Sequence, residues 1–310
     1  MRNNFNLFEV LDVSAGKIAF QKLLLFSVTL MLLTISFSSV ARPEYVVGLT
    51  QQGIRIASVE EVELGFNYEL EKISKDKDYA LKIKVFSSDV ELNNMLQARI
   101  IKGYFGSPMM FIENMRDFDA SRLFVPVIGN KVKQRYVILV RKDSGVNQLA
   151  QLAQKEIAYC TTDEVGALYL QHALKQKGLG TVDGFFSKKI IKKNPSLAAT
   201  AVFFKETDAA IILESDYLIA AELNPQLLKQ MQSIETSPEY LTHLLAFSNE
   251  HGFAEKFNIE DNVVQLARAI HRLTLMKNYK YGTMQKVSLE DLKSVQDLVA
   301  DTRQDKAKLK

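Results

Sequence analysis

The chain has 310 residues and one cysteine, Cys160. No internal disulfide can form, so stability must come from packing. Its four histidines, His172, His243, His251 and His271, are scattered. Neither His-x3-His nor Cys-x2-Cys spacing occurs, so a zinc site has no support and no metal is expected. Gly-x-Ser-x-Gly and Gly-x4-Gly-Lys-Ser/Thr are absent too. The sequence therefore offers neither a serine elbow nor a phosphate-cradling loop, and implies no cofactor and no enzyme. An excess of one charge is also missing: 39 Lys and Arg face 36 Asp and Glu, a formal +3. Nucleic-acid binding needs a concentrated basic face, so that class of partner is excluded. No repeat of solenoid period is visible. A hydrophobic share of 47 % and a charged share of 24 % are those of a globular protein, not a disordered one.

What is present begins with an address. Lys17 and Lys22 precede an uncharged apolar run over 23–37, followed by Ser38-Ser39-Val40-Ala41 and then Arg42-Pro43. A basic flank, an apolar core, and small residues at Ser39 and Ala41 make a secretory signal, with the mature protein starting near Arg42. The alternative is an uncleaved anchor, because 23–40 approaches the ~18 residues needed to span a bilayer. Residues 1–41 hold three basic and two acidic side chains, so +2 remains on the exported part. A disulfide-free exported protein of this size suits a bacterial periplasm.

Strand and helix signals then alternate. Residues 45–49 read as a strand, 58–74 as an amphipathic helix, and 80–86 as a half-buried strand. Ser87, Ser88 and Asp89 can cap a helix over 90–101, and another helix starts near Met109. Further on, 136–140 is a continuous apolar run, as in a strand covered on both faces. Lys142-Asp143-Ser144-Gly145 is a turn, 148–153 a short helix, and 156–160 a strand. A helix directly after Thr161-Thr162 through about Lys175, a helix over 196–203 and a strand over 208–213 follow, then a helical piece from Asn224 to near Gln232. The last third reads as mostly helical, with an apolar face over 262–276. Ser288-Leu289-Glu290-Asp291 is spaced as a capping box opening a helix to about Val299. Alternation of this kind predicts an α/β fold with largely parallel sheets.

Four phrases in order carry a resemblance. They are Val46-Val47-Gly48-Leu49; Leu96-Gln97-Ala98-Arg99-Ile100-Ile101-Lys102-Gly103-Tyr104-Phe105-Gly106-Ser107-Pro108; Tyr136-Val137-Ile138-Leu139-Val140-Arg141-Lys142-Asp143-Ser144-Gly145-Val146; and Thr207-Asp208-Ala209-Ala210-Ile211-Ile212. Together they resemble a periplasmic solute-binding protein of the type II fold, nearest the phosphate/phosphite/phosphonate-binding branch, over most of 45–250. The resemblance implies two α/β lobes joined by two crossing strands and closing on a ligand in the cleft. Lobe I would comprise 42–136 plus 238–310, and lobe II 137–237. The implied partners are a small-molecule ligand and an ABC permease, or else a membrane signalling protein. The protein would be a periplasmic monomer. An enzyme on the same scaffold is a third reading.

Ligands of α/β sheets bind beyond strand C-terminal ends. By position, the contacts implied are Thr50, Gln51, Tyr104, Ser107, Thr161, Thr162, Ser196 and Asp208. Each has a structural alternative: helix capping for Thr161 or Thr162, packing for Tyr104, and a strand-edge cap for Asp208. Cys160 reads as a small buried hydrophobe. One turn departs from the family. Such turns hold an anion on free backbone N–H groups and a helix dipole. Here Asp163 and Glu164 follow Thr161 and Thr162, either as solvated first-turn acids or as ligand contacts. Two negative charges disfavour a dianion beside them. A zwitterion or amine, its cation met by Glu164 or Asp208, fits these charges.

Overall fold

The computed structural model describes residues 42–50, 58–160, 163–250, 257–271 and 280–308. Residues 43–310 form one compact unit. It holds both sheets and every core cluster among the described residues, as a piece that folds by itself must.

The chain builds one lobe, crosses to a second, and returns. The first lobe opens with strand β1 (Glu44–Thr50), helix α1 (Val59–Ser74), β2 (Ala80–Phe86), α2 (Asp89–Gln97), β3 (Ile101–Gly106), α3 (Pro108–Glu113) and β4 (Leu123–Ile128). The second holds β5 (Tyr136–Arg141), β6 (Glu156–Cys160), α4 (Glu164–Gln176), α5 (Val182–Phe185), β7 (Lys188–Lys192), α6 (Pro195–Phe203), β8 (Ala209–Leu213), α7 (Glu214–Leu223), α8 (Gln226–Gln230) and β9 (Met231–Thr236). The return supplies β10 (Leu244–Phe247), α9 (Ile259–His271), β11 (Tyr281–Val287) and α10 (Lys293–Lys308).

Two mixed sheets result, ordered β11-β4-β10-β3-β1-β2 and β7-β6-β8-β5-β9. β1 runs parallel to β2 and β3, and β6 parallel to β7 and β8, while the other pairs are antiparallel. The type II architecture follows. Two segments cross between the sheets, and they meet where Gln134 and Tyr240 exchange backbone hydrogen bonds of 2.8 and 2.9 Å. Tyr136 and Ser237 add a second tie, the Tyr136 amide donating to the Ser237 hydroxyl at 2.8 Å.

Local chemistry explains most boundaries. Ser58 accepts from the Glu61 amide at 3.2 Å while Glu61 accepts from the Ser58 amide at 3.1 Å, the reciprocal capping box that starts α1. Ser88 caps α2, and Ser107 followed by Pro108 starts α3. Ser288 and Asp291 form the expected capping box, on a short 3-10 turn that leads into α10.

Several expectations need correction. The helix expected over 90–101 stops at Gln97, because Arg99 turns left-handed at φ 56° and Ile101 already pairs in β3. β3, β4, β10 and β11 are strands where helix or no element was expected, so the last third is only partly helical. The helical piece expected to reach Gln232 ends at Gln230, and Met231 begins β9. The helix expected over 262–276 is described as far as His271, and its remainder lies outside the described residues.

Of the return segment expected with the first lobe, β10 and β11 join that lobe's sheet. α10 instead lies against α4, where Asp301 takes His172 Nδ1 and Lys175 Nζ, each at 2.7 Å. The hydrogen bonds with Lys175 and His172 hold the Asp301 carboxyl below its ordinary range.

Candidate functional site

The parallel strands of each sheet end at a common edge, and the loops beyond those edges meet. From the first lobe come Thr50 at the end of β1, Asp89 after β2, and Ser107 after β3. From the second come Asp163 and Glu164 after β6. The Ser107 hydroxyl accepts from the Met109 amide at 3.2 Å and lies near enough to the Glu164 carboxylate, across the seam, to stabilise its charged form.

Tyr104 positions this corner. It is 1 % exposed, its hydroxyl donates to the Ser107 carbonyl at 2.9 Å, and it accepts from the Phe111 amide at 2.9 Å. Burial pushes its phenol well above the ordinary value, so it stays a neutral donor. Packing and positioning, the structural alternative for Tyr104, are thus what these contacts show.

Asp163 is the N-cap of α4, accepting from the Gly166 amide at 3.1 Å. The buried Tyr136 hydroxyl donates to the same carboxylate. The capping role expected of Thr161 or Thr162 therefore falls to Asp163, and Asp163 is buried rather than solvated. Gly166 makes this fit possible, since a Cβ there would stand 2.8 Å from Tyr136 Cε1.

Charge at the seam is one-sided. Burial is the main cause that raises the Glu164 carboxyl above its ordinary range; the Ser107 hydroxyl opposes it, and Asp89, Glu113 and Asp163 push it further up. Asp89 is likewise raised, chiefly by burial, with the Thr50 hydroxyl opposing and Glu113 adding. Among the described residues, the charges that act on both groups are negative. Among the described residues no group of three or more His, Cys, Asp and Glu side chains is arranged to hold a metal ion.

Thr50, Tyr104, Ser107 and Glu164 are thus brought together. Ser196 lies in the first turn of α6, after the C-terminal end of β7, on the same edge of the second sheet. Asp208 does not join them. β8 runs parallel to β6, so its start lies at the sheet's other end, where Asp208 accepts from the Glu156 amide at 2.9 Å and faces Lys155 at 3.6 Å. The strand-edge alternative describes it. Gln51, Thr161 and Thr162 lie outside the described residues. Cys160 is buried, as expected.

Sequence reasoning missed Asp89 as a site residue, taking it only as part of a helix cap. Its position just after a strand, shared with Thr50 and Ser107, was the available signal. His243 was also missed: buried, 3.2 Å from the Thr242 hydroxyl and stacked on Phe105 at 5.7 Å, it precedes Leu244, the register partner of Gly106.

Residues 61–292 match the family described as ABC transporter, phosphonate, periplasmic substrate-binding protein. The chain belongs to this family. No match was found among curated proteins. Solved structures with the same fold include a binding protein component of an ABC phosphonate transporter from Pseudomonas aeruginosa, at 14 % identity and TM-score 0.60, covering 83 % of this chain and 85 % of that one. PhnD1 from Prochlorococcus marinus, in complex with methylphosphonate, is 12 % identical with TM-score 0.62, covering 84 % and 99 %. XAC2383 from Xanthomonas citri, bound to ATP, is 12 % identical with TM-score 0.63, covering 84 % and 97 %. As a member of this family, the chain is a periplasmic substrate-binding protein of an ABC importer. No helix among the described residues is long and apolar enough to cross a membrane.

Proposed function

We propose that the solute carries an aminium group, as an amine or an amino-acid-like zwitterion, and binds where Glu164 faces Ser107. The observation behind this reading is the seam's charge. Half-buried carboxylates from two lobes act on one another, and among the described residues the charges acting on them are negative. Desolvating like charges together is unfavourable unless a proton or cation accompanies them. A phosphonate dianion would add to the imbalance. An aminium donor would relieve it, with Glu164 and Asp89 as its acceptors and Thr50 and Ser107 holding those acceptors in place. Gln51 continues the Thr50 loop and Thr161 and Thr162 precede Asp163, so the same reading assigns them to the solute's remaining polar groups. Ser196 stands further along that edge. The protein binds its solute and releases it unchanged, as a monomer.

Thermal unfolding of residues 43–310 against amines, amino acids, phosphate, phosphite and methylphosphonate tests this. A ligand that binds only the folded state raises stability by RT ln(1 + [L]/Kd). A dose-dependent rise with aminium solutes is expected. A rise confined to the phosphorus anions would refute the proposal.

A further inference from the structure

The first lobe contains a second space, on the other face of its sheet and of different chemistry from the seam. A cavity of about 180 Å3 lies between one face of the first sheet and the helices α1 and α9. Phe66 and Leu70 of α1, Val263 and Leu266 of α9, and Phe105 and Leu245 of the sheet are among its walls.

The core records the gap independently. Against the sheet's other face, packing is one continuous cluster that runs on into the second lobe. On the cavity side it divides. Tyr79, Phe124, Leu245, Phe247, Phe257, Ile259 and Val263 form one cluster, and Leu49, Val62, Leu70 and Ile83 another. Only the partly buried Val47, Leu81 and Phe105 touch both. Val47 and Phe105 belong to β1 and β3, inner strands of the six. Both are only partly buried and both line the cavity.

Protein interiors pack like organic crystals, and an unfilled void forfeits contact along its whole wall. The space is partly open, but its wall is mostly apolar, so water within it finds few polar partners. An apolar cavity of about 150 Å3 stays dry and takes up benzene or xenon. We infer that this cavity is a binding site for an uncharged hydrocarbon group, a ring or short alkyl chain of benzene size, separate from the solute site at the seam. The group can belong to a free hydrocarbon or to the tail of an amphiphile.

Residues 43–310 with benzene, and separately with octanoate, provide the test. Saturating benzene should raise Tm by about 2 °C or more. Octanoate should do the same if amphiphile tails enter, and benzene alone should act if only free hydrocarbons do. Ala267, 8 % exposed on α9, lines the cavity. Ala267→Met should fill the space and remove the benzene shift. Crystals of the unmodified protein under xenon give a readout that needs no variant, with xenon expected between α1 and α9. No Tm shift with either probe, or no xenon there, would overturn the inference. So would an equal shift in Ala267→Met. Glu164→Gln should leave the benzene response intact, so failure here is distinct from failure of the aminium reading.

Discussion

The two ends of the second lobe's sheet both carry carboxylates and treat them in opposite ways. At the end remote from the seam each acid meets a cation. Arg141 grips Asp143 through two bonds of 2.7 and 2.8 Å, Lys205 stands 3.5 Å from the same acid, and Lys155 faces Asp208. The Asp143 carboxyl falls to about 2. At the seam end Glu164 meets a hydroxyl and three like charges, and its carboxyl rises. Acids at the remote end are paired with cations, while among the described residues the half-buried acids at the seam act on one another, an arrangement that a bound cation would relieve.

The most severe way to break this contrast is to supply that cation covalently. Glu164→Lys should satisfy Asp89 and Glu113 from within and abolish binding of aminium solutes in calorimetry. Glu164→Gln removes the charge and keeps the shape, and should weaken the same solutes at least about tenfold, ~1.4 kcal/mol. Gly166→Ala should destabilise by about 1–3 kcal/mol in denaturant unfolding, because the new methyl overpacks against the buried Tyr136 ring.

pH sharpens the contrast further. Glu164 and Asp89 have raised folded-state values, so the folded protein binds protons more tightly than the unfolded chain. Ligand-free stability should therefore fall as pH rises from the unfolded carboxylate range through the raised values. Glu164→Gln should flatten that slope. Affinity for an aminium solute should move the other way, growing as the same carboxylates ionise. The smallest effect is expected at the remote end, where Asp208→Asn should leave solute Kd unchanged while Glu164→Gln does not.

Much of the fold was legible because its signals were local. The apolar runs of β5 and β8, the alternation in β2, and the caps at Ser88 and Ser288 are written in neighbouring residues. β3 was hidden by Gly103 and Gly106, which lower strand propensity. Gly103 is there because a Cβ would stand 2.8 Å from the Ala246 carbonyl of β10, a constraint set by a distant strand. β11 was hidden by polarity, for Tyr-Gly-Thr-Met-Gln-Lys-Val offers no apolar face and pairs only because β4 is waiting for it.

The phrase most telling for the family is not part of the site. Arg141, Asp143, Ser144 and Gly145 build a turn in which Arg141 also donates to the Phe203 carbonyl, Ser144 to the Arg141 carbonyl at 2.6 Å, and Gly145 adopts φ 72°. Family membership was legible in a structural turn. The acid at Asp89 was not, because its meaning depends on a glutamate 75 positions later in the other lobe.

The central claim is that the seam needs a positive charge. Calorimetric titration of residues 43–310 at neutral pH with an alkylamine and with methylphosphonate, each repeated on Glu164→Gln, tests it most directly. The account predicts heat of binding for the amine, lost or much reduced in the variant, and none for methylphosphonate. Tight methylphosphonate binding by the unmodified protein, with the amine silent, would contradict it.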